Sequence, residues 1–171
     1  MTDLPQYIRS IPDFPQPGIL FRDITPLLNV PEAFRSVIEE LVNRAALYHV
    51  DRVAAIESRG FIFGAPLALR LGVGFVPIRK PGKLPASTLR EEYSLEYGTN
   101  AIEMHDDAIR MGERVLVIDD LLATGGTAAA ACRLVERAGG RVAAGVFVIE
   151  LAALNGRACL AGRDVISLIT F

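Results

Sequence analysis

Residues 115–127 read VLVIDDLLATGGT, and this stretch decides the fold. Its first four residues are apolar, as in a buried strand, and apolar positions then recur at helical spacing over residues 128–138. Two glycines end that predicted helix, and residues 142–149 supply a second apolar strand. A strand, a helix and a further strand in this order predict a βαβ unit over residues 115–149.

The turn between this strand and this helix has the composition of an anion-binding loop. Its glycines let the backbone approach a phosphate, and its threonine hydroxyls can donate hydrogen bonds to phosphate oxygens. Two adjacent carboxylates at the preceding strand end can accept hydrogen bonds from a vicinal diol. Diol and phosphate together predict a ribose 5-phosphate site, formed by Asp119, Asp120, Ala123, Thr124, Gly125, Gly126 and Thr127.

Other nucleotide-binding motifs are missing from the sequence. The pattern GxxxxGK[ST] does not occur, and Gly72-Val73-Gly74 is followed by Pro77 where a dinucleotide motif needs its third glycine. For TGGT alone, a plain tight turn with solvated acids is the alternative, because glycine turns are common. The order of strand, acids, spacer, turn and helix favours the binding site.

Further strands and helices continue the pattern outside residues 115–149. Residues 53–56 and 74–78 are strand-like, and apolar spacing after Pro31 predicts an amphipathic helix to Ala45. Another helix is predicted up to Leu71, although Pro66 makes its interior uncertain. Alternating strands and helices predict an α/β fold, with a mostly parallel central sheet flanked by helices in a single domain over residues 1–171.

Two regions break this pattern. Residues 1–31 carry six prolines, too many for a regular sheet, and we expect an irregular cap with short helical pieces. Residues 79–105 are polar, and alternation over residues 97–104 suggests a hairpin or a mobile flap. Either region could cover a ligand.

Composition excludes several classes of protein. Eighteen basic and 20 acidic residues give a formal charge of −2, which argues against nucleic acid as a partner. Charges and prolines interrupt the first thirty residues, and no apolar run reaches membrane-spanning length, so we expect a cytoplasmic protein without membrane contact. The two cysteines and two histidines form no cluster, so any metal needs oxygen ligands.

The stretch at residues 115–127 resembles the phosphoribosyl pyrophosphate motif of type I phosphoribosyltransferases. Four more motifs resemble the members of that family that act on adenine, in the same order along the chain. They are FPQPGILFRDIT at residues 14–25, SRGF at 58–61, IRKPGKLP at 78–85 and YSLEYG at 93–98. The resemblance covers residues 8–149 and implies the type I phosphoribosyltransferase fold, with an N-terminal cap, or hood, and a flexible catalytic flap.

The resemblance also implies a reaction of purine salvage. Adenine and phosphoribosyl pyrophosphate would give AMP and pyrophosphate, with Mg²⁺ held mainly by the substrate and no protein metal ligand. In this family the loop corresponding to residues 57–60 often contains a cis peptide that does not involve proline. One or more of the basic residues at positions 79, 80 and 83 would reach the pyrophosphate across a homodimer interface. The pyrophosphate residues implied are Glu57, Ser58, Arg59, Gly60, Arg79, Lys80 and Lys83.

For the base, the resemblance implies a pocket at Leu20, Phe21 and Arg22, and Glu96 on the flap as the catalytic acid or base. A backbone N–H and C=O can meet N1 and the 6-amino group of adenine, whereas hypoxanthine reverses both polarities. On residue type alone, Phe21 could equally be a core residue, Glu96 a solvated charge and the basic group a solvated cluster.

Two alternative functions remain open at this point. The enzyme could act on hypoxanthine, guanine, xanthine or orotate, and only the FRDIT segment argues against this. A regulatory protein could use the same ribose phosphate site to sense its ligand. That hypothesis predicts a DNA-binding segment or a broad basic face, and neither is visible in a chain of this charge.

Overall fold

The computed structural model describes residues 3–94 and 99–171. In chain order its elements are β1 (Arg9–Pro12), β2 (Leu20–Asp23), α1 (Thr25–Asn29), α2 (Pro31–Ala45), β3 (Arg52–Ile56), α3 (Gly60–Leu71), β4 (Gly74–Ile78), β5 (Thr88–Ser94), β6 (Thr99–His105), β7 (Arg114–Leu122), α4 (Gly126–Arg137), β8 (Arg141–Glu150) and β9 (Val165–Thr170). Short 3-10 turns join several of them, including Gly156–Leu160 before β9. Among these described residues, no helix has the length and apolarity to cross a membrane.

A five-stranded parallel sheet in the order β4-β3-β7-β8-β9 forms the centre of the fold. Its inner strands are continuous apolar runs because both faces of a parallel sheet are covered. Residues 53–56, 115–118 and 146–149 are buried accordingly. The predicted α/β fold is confirmed, and so is the βαβ unit, in which β7, α4 and β8 follow one another.

Two of the predicted elements differ in extent from the prediction. Strand β7 continues through Asp119 and Asp120 to Leu122, so these acids lie within a strand and not beyond its end. Helix α4 begins at Gly126, which makes the second half of TGGT the first helical turn. Helix α3 runs without a break through Pro66 and ends at Leu71, just before Gly72, whose φ is +69°.

The chain divides into two compact units, one extending up to Glu40 and one comprising Leu41–Phe171. The predicted cap ended earlier, at residue 31, and the single-domain expectation stays a prediction. In the N-terminal unit, the expectation of no regular sheet is wrong: β1 and β2 pair as an antiparallel ribbon. Pro12 ends β1, and Pro15 and Pro17 lie between the two strands, where no ladder hydrogen bond is required of them.

Strands β5 and β6 form an antiparallel hairpin, from Thr88 opposite His105 to Ser94 opposite Thr99. The hairpin predicted within residues 79–105 is therefore confirmed. Residues 95–98, which include Glu96, lie outside the described residues. The hairpin is attached to α4, because Arg133 and Arg137 on that helix donate hydrogen bonds to Glu91 on β5.

Candidate active site

The turn between β7 and α4 encloses a small cavity of about 80 Å³, lined by residues 121–128 and Asp119. The first helical hydrogen bond runs from the Ala129 N–H to the Gly125 C=O. The amides of residues 126–128 precede that bond, and amides of a first helical turn attract anions. Gly125 has a φ of +85°, a conformation that residues with a Cβ adopt at a cost. The turn thus has the geometry of a phosphate cradle.

A second cavity adjoins the first at Asp119. Its volume is about 370 Å³, and it is lined by Glu57, Ser58, Arg59, Lys80, Asp119 and Asp120. This lining brings together the loop after β3, the segment after β4 and the acids of β7, which are neighbouring strands of one sheet. Ligands of α/β folds bind at this carboxyl edge. The structure therefore collects residues from three predicted motifs in one cavity.

The two acids of β7 have different environments. Asp120 is buried, with 5% of its side chain exposed, and its Oδ2 lies 2.8 Å from Nε of Arg59. Asp119 lines both cavities, and its Oδ1 accepts a hydrogen bond from the Asp120 amide at 2.9 Å. Burial and the neighbouring charge of Asp120 raise the pKa of Asp119 well above its usual value. Asp119 thus retains its proton more readily than an ordinary aspartate.

The loop Glu57-Ser58-Arg59-Gly60 joins β3 to α3 and contains the cis peptide that the resemblance implies, between Glu57 and Ser58. Gly60 lies directly against β7, since a Cβ there would be 3.0 Å from both Oδ1 of Asp119 and the carbonyl oxygen of Ile118. A side chain there would require Ile118 and Asp119 to give way by a few tenths of an ångström. Gly60 therefore allows the loop to approach the acids closely.

Glu57 connects this loop to the basic segment. Its Oε2 accepts hydrogen bonds from Nε of Arg79 at 2.9 Å and from the Lys80 amide at 3.2 Å. Burial raises the pKa of Glu57, but the bonds from Arg79 and Lys80 outweigh it, so the pKa lies below its usual value. Arg79 also donates to the Lys83 carbonyl. Its guanidinium is therefore engaged within the protein, whereas Lys80 lines the larger cavity.

Sequence reasoning missed Glu103, which holds the basic segment from the hairpin side. Its backbone exchanges hydrogen bonds with Arg79 at 2.8 and 2.7 Å, and its Oε2 accepts one from the Gly82 amide at 3.0 Å. No local pattern marks Glu103, because its partners are more than twenty residues away in sequence. Strand alternation places it on the hairpin but cannot indicate its partner.

The residues predicted to bind adenine lie on β2 in the N-terminal unit. Leu20 is 48% exposed, and the ring of Phe21 packs edge-on against Phe14 at 5.1 Å between centroids. Arg22 donates a hydrogen bond to the Ser10 hydroxyl across the ribbon. Beside them, Asp23 is buried and accepts bonds from the Thr25 amide and from Arg9. Their role toward a base stays a prediction.

The sequence profile of phosphoribosyl transferase domains matches residues 23–165 of this chain. The chain belongs to the phosphoribosyltransferase family. An adenine phosphoribosyltransferase of Chloroflexus aurantiacus is 64% identical over 169 residues, which cover 99% of this chain and 98% of that relative. One of Gloeobacter violaceus is 59% identical over 170 residues, covering 99% of both chains. Within the family, the chain is a member of the adenine phosphoribosyltransferases.

Solved structures resemble this phosphoribosyltransferase over nearly their whole length. The crystal structure of adenine phosphoribosyltransferase from Thermoanaerobacter pseudethanolicus superposes with a TM-score of 0.97 at 56% identity, covering 99% of this chain and 98% of that one. The Saccharomyces cerevisiae enzyme has a TM-score of 0.91 at 41% identity, with 97% and 96% covered. That structure contains adenine and an imino-altritol bisphosphate. The predicted type I fold is confirmed.

Proposed function

We propose that this chain transfers the 5-phosphoribosyl group of phosphoribosyl pyrophosphate to adenine, giving AMP and pyrophosphate in purine salvage. The observation that carries the proposal is the position of Asp119, which lines both the cradle of the β7–α4 turn and the larger cavity. The substrate has a 5-phosphate and a 1-pyrophosphate on either side of a ribose diol. A carboxylate between an anion cradle and a cavity with Arg59 and Lys80 matches that order of groups.

The transfer reaction depends mainly on stabilising the charges that develop on ribose carbon 1 and on the leaving pyrophosphate. The bond from ribose carbon 1 to pyrophosphate breaks, a bond from carbon 1 to a purine nitrogen forms, and the nitrogen loses a proton. Carbon 1 develops oxocarbenium character, so cations near the leaving group and exclusion of water lower the barrier. Ser58, Arg59, Gly60 and Lys80 are the residues we propose for the pyrophosphate. Glu57, Arg79 and Lys83 complete the set that we propose, and in the structure the Arg79 guanidinium donates to the Lys83 carbonyl.

Mg²⁺ is the metal that we propose for this site. Its preference for oxygen ligands and retained waters fits the pyrophosphate and hydroxyl oxygens of the substrate, with Asp119 and Asp120 of the larger cavity acting through hydroxyls or water. Among residues 3–94 and 99–171, no group of three or more His, Cys, Asp and Glu side chains forms a metal-binding cluster. Substrate oxygens would then supply most ligands, and the bound ion would neutralise charge on the departing pyrophosphate.

Adenine is the proposed base, bound by Leu20, Phe21 and Arg22. The proposal is supported by the names of the relatives and by the bound adenine of the yeast structure. A backbone N–H and C=O matched to adenine would leave two buried groups unpaired with a 6-oxopurine, at about 1–3 kcal/mol each. We propose the cytoplasm as the compartment, because both cysteines are free thiols.

A panel of bases tests the proposed function. The protein is incubated with phosphoribosyl pyrophosphate and Mg²⁺, each nucleobase is offered separately, and pyrophosphate release is measured. We expect release with adenine and little with hypoxanthine, guanine, xanthine or orotate. Release with a 6-oxopurine alone would overturn the choice of base. Ligand binding without release for any base would favour a sensor.

We further propose that the protein is a homodimer through an apolar face on α3 and β4. The face comprises Ile62, Ala65, Leu69 and Phe75, all exposed, with Leu69 80% exposed. The rings of Phe61 and Phe75 pack edge-on, with 5.7 Å between their centroids, so the apolar surfaces of α3 and β4 form one continuous face. Strand β4 leads directly into the basic segment. A second copy bound to this face would bring its own basic segment near the active site of the first. A twofold axis would pair the same apolar face on both copies.

Replacing Leu69 by aspartate is expected to convert the dimer into monomers at micromolar concentration. A charge at the centre of an apolar interface is desolvated without a partner, which costs several kcal/mol per dimer. Leu47→Asp is the matched control, because Leu47 is 79% exposed and lies outside this face. Sedimentation equilibrium measures the mass. Dimers of Leu69→Asp, or monomers of Leu47→Asp, would contradict this assignment of the interface.

A further inference from the structure

The 3-10 turn Gly156–Leu160 packs directly behind the β7–α4 turn. A Cβ added to Gly125 would lie far inside van der Waals contact with the carbonyl oxygen of Gly156, and a Cβ added to Gly156 would meet the carbonyl oxygen of Ala123 in the same way. The Cys159 thiol donates to the Thr124 carbonyl at 3.2 Å. Backbone therefore lies against backbone at these two points, and the side chains of Cys159 and Leu122 pack beside them.

The 3-10 turn is itself held in place by an ion pair. Nε and Nη2 of Arg157 lie 2.7 Å from Oε1 and Oε2 of Glu150, at the end of β8. Ser167 on β9 donates to the same carboxylate at 2.6 Å, and Arg157 also donates to the Val165 carbonyl at 3.1 Å. The Glu150 side chain is 8% exposed. A bidentate ion pair of this kind is strong and fixes the orientation of the Arg157 side chain.

The hydrogen bonds to Glu150 stabilise its charged form. The bond from Arg157, opposed by burial and aided by Ser167, lowers the pKa of Glu150. The carboxylate therefore remains charged and paired at neutral pH. Because β8 and β9 are neighbouring strands of the sheet, the 3-10 turn is tied to the rigid part of the fold. The 3-10 turn can therefore act as a fixed wall, that is, a rigid surface behind the β7–α4 turn.

We infer that Gly156–Leu160 is the rear support of the phosphate cradle, with Gly156 and Arg157 as positioning residues for the transfer reaction. The inference rests on the proposed function, in which the β7–α4 turn binds the 5-phosphate. Anion binding by backbone amides needs their directions to converge before the ligand arrives. The wall prevents residues 123–125 from moving back and keeps the amides convergent. Neither residue touches the ligand in this role.

Gly156→Ala tests the inference with a single added methyl group. That methyl group would push the Ala123 carbonyl and the turn forward. We expect the dissociation constant of ribose 5-phosphate, measured by calorimetry, to rise about tenfold or more, because a misdirected amide loses a hydrogen bond to a charged phosphate oxygen. The KM of phosphoribosyl pyrophosphate should rise in parallel, while the KM of adenine stays within about twofold.

Gly140→Ala is the matched control. A Cβ on Gly140 would lie 2.8 Å from Cγ2 of Ile109 and 3.1 Å from Cγ1 of Val135, so this variant also introduces a clash. Gly140 follows the C-terminal end of α4, whereas the cradle is at its N-terminal end. Gly140→Ala should lower the melting temperature and leave ribose 5-phosphate binding unchanged. Equal weakening in both variants would mean that the loss reflects general destabilisation and would overturn the inference.

Arg157→Lys is the second variant and serves if Gly156→Ala does not fold. Lysine keeps the charge but cannot form the bidentate pair with Glu150, so the 3-10 turn is held less rigidly. The same rise in the ribose 5-phosphate dissociation constant is expected, at smaller size. Wild-type affinity in the folded variants would overturn the inference. Failure of the wild-type protein to bind ribose 5-phosphate would instead count against the proposed function.

Discussion

Replacement of Asp119 by asparagine is expected to stabilise the folded chain at neutral pH and to weaken phosphoribosyl pyrophosphate binding by about 10- to 100-fold. The affinity is lost because the carboxylate proposed to accept hydrogen bonds from the diol is replaced by a neutral amide. Loss of such a charge-assisted hydrogen bond weakens binding by about 1.5–3 kcal/mol. The stability is gained because Asp119 is half-buried beside the charge of Asp120, and desolvation and that charge raise its pKa. One substitution therefore separates stability from function.

The pH dependence of the wild-type protein follows from the same raised pKa. An acid whose pKa is higher in the folded state contributes stability that is fully present below its unfolded pKa, about 3.9. That stability is lost as the pH rises through the folded pKa, because the charged form is disfavoured by burial and by Asp120. Urea unfolding at a series of pH values should show this decline in the wild type and a smaller one in Asp119→Asn.

Binding should show the opposite pH trend. In the proposed site a ribose diol would donate to the ionised form of Asp119, so affinity should increase as the pH rises through the raised pKa, and binding should release a proton. The ligand phosphate also titrates near pH 6, so the difference between wild type and Asp119→Asn isolates the protein group. Asp107→Asn, at an exposed aspartate, is the control. An Asp119→Asn variant with wild-type affinity would remove Asp119 from the ribose site.

Local pattern was enough to predict the framework of the site. Buried parallel strands are long apolar runs, so residues 53–56 and 115–118 were recognisable, and helical spacing identified α2 and α4. The boundaries were less accurate. Strand β7 extends through Asp119 and Asp120 because its pairing with β8 continues to Leu122 opposite Glu150, and a partner strand is invisible to local periodicity.

The contacts that shape the site could not be predicted from sequence. Arg59 reaches Asp120 across 61 positions, and Glu57 reaches Arg79 across 22, so both pairs exist only once strands β3, β4 and β7 lie side by side. The ribbon of β1 and β2 was missed for a related reason. Proline removes donors at particular positions, and whether a ladder needs those donors depends on register.

Replacement of Glu96 by glutamine is expected to lower kcat by about 10²- to 10⁴-fold, the usual contribution of a general acid or base, while phosphoribosyl pyrophosphate affinity is kept. Glu96 lies in sequence between β5 and β6, outside the described residues. The hairpin of β5 and β6 is fixed at Glu91, whose two oxygens accept bonds from Arg133 and Arg137 of α4 at 2.5 and 2.8 Å. The same helix forms the phosphate cradle at its first turn.

Glu91 is the point at which the hairpin is attached to α4. Hydrogen bonds from Arg133 and then Arg137 outweigh burial and lower the pKa of Glu91, so the anchor remains ionised at neutral pH. Glu92→Gln is the control, because that side chain is 66% exposed on the same strand. Calorimetry and steady-state kinetics separate binding from turnover. Unchanged kcat in Glu96→Gln, or an equal loss in Glu92→Gln, would exclude a specific proton-transfer role for Glu96.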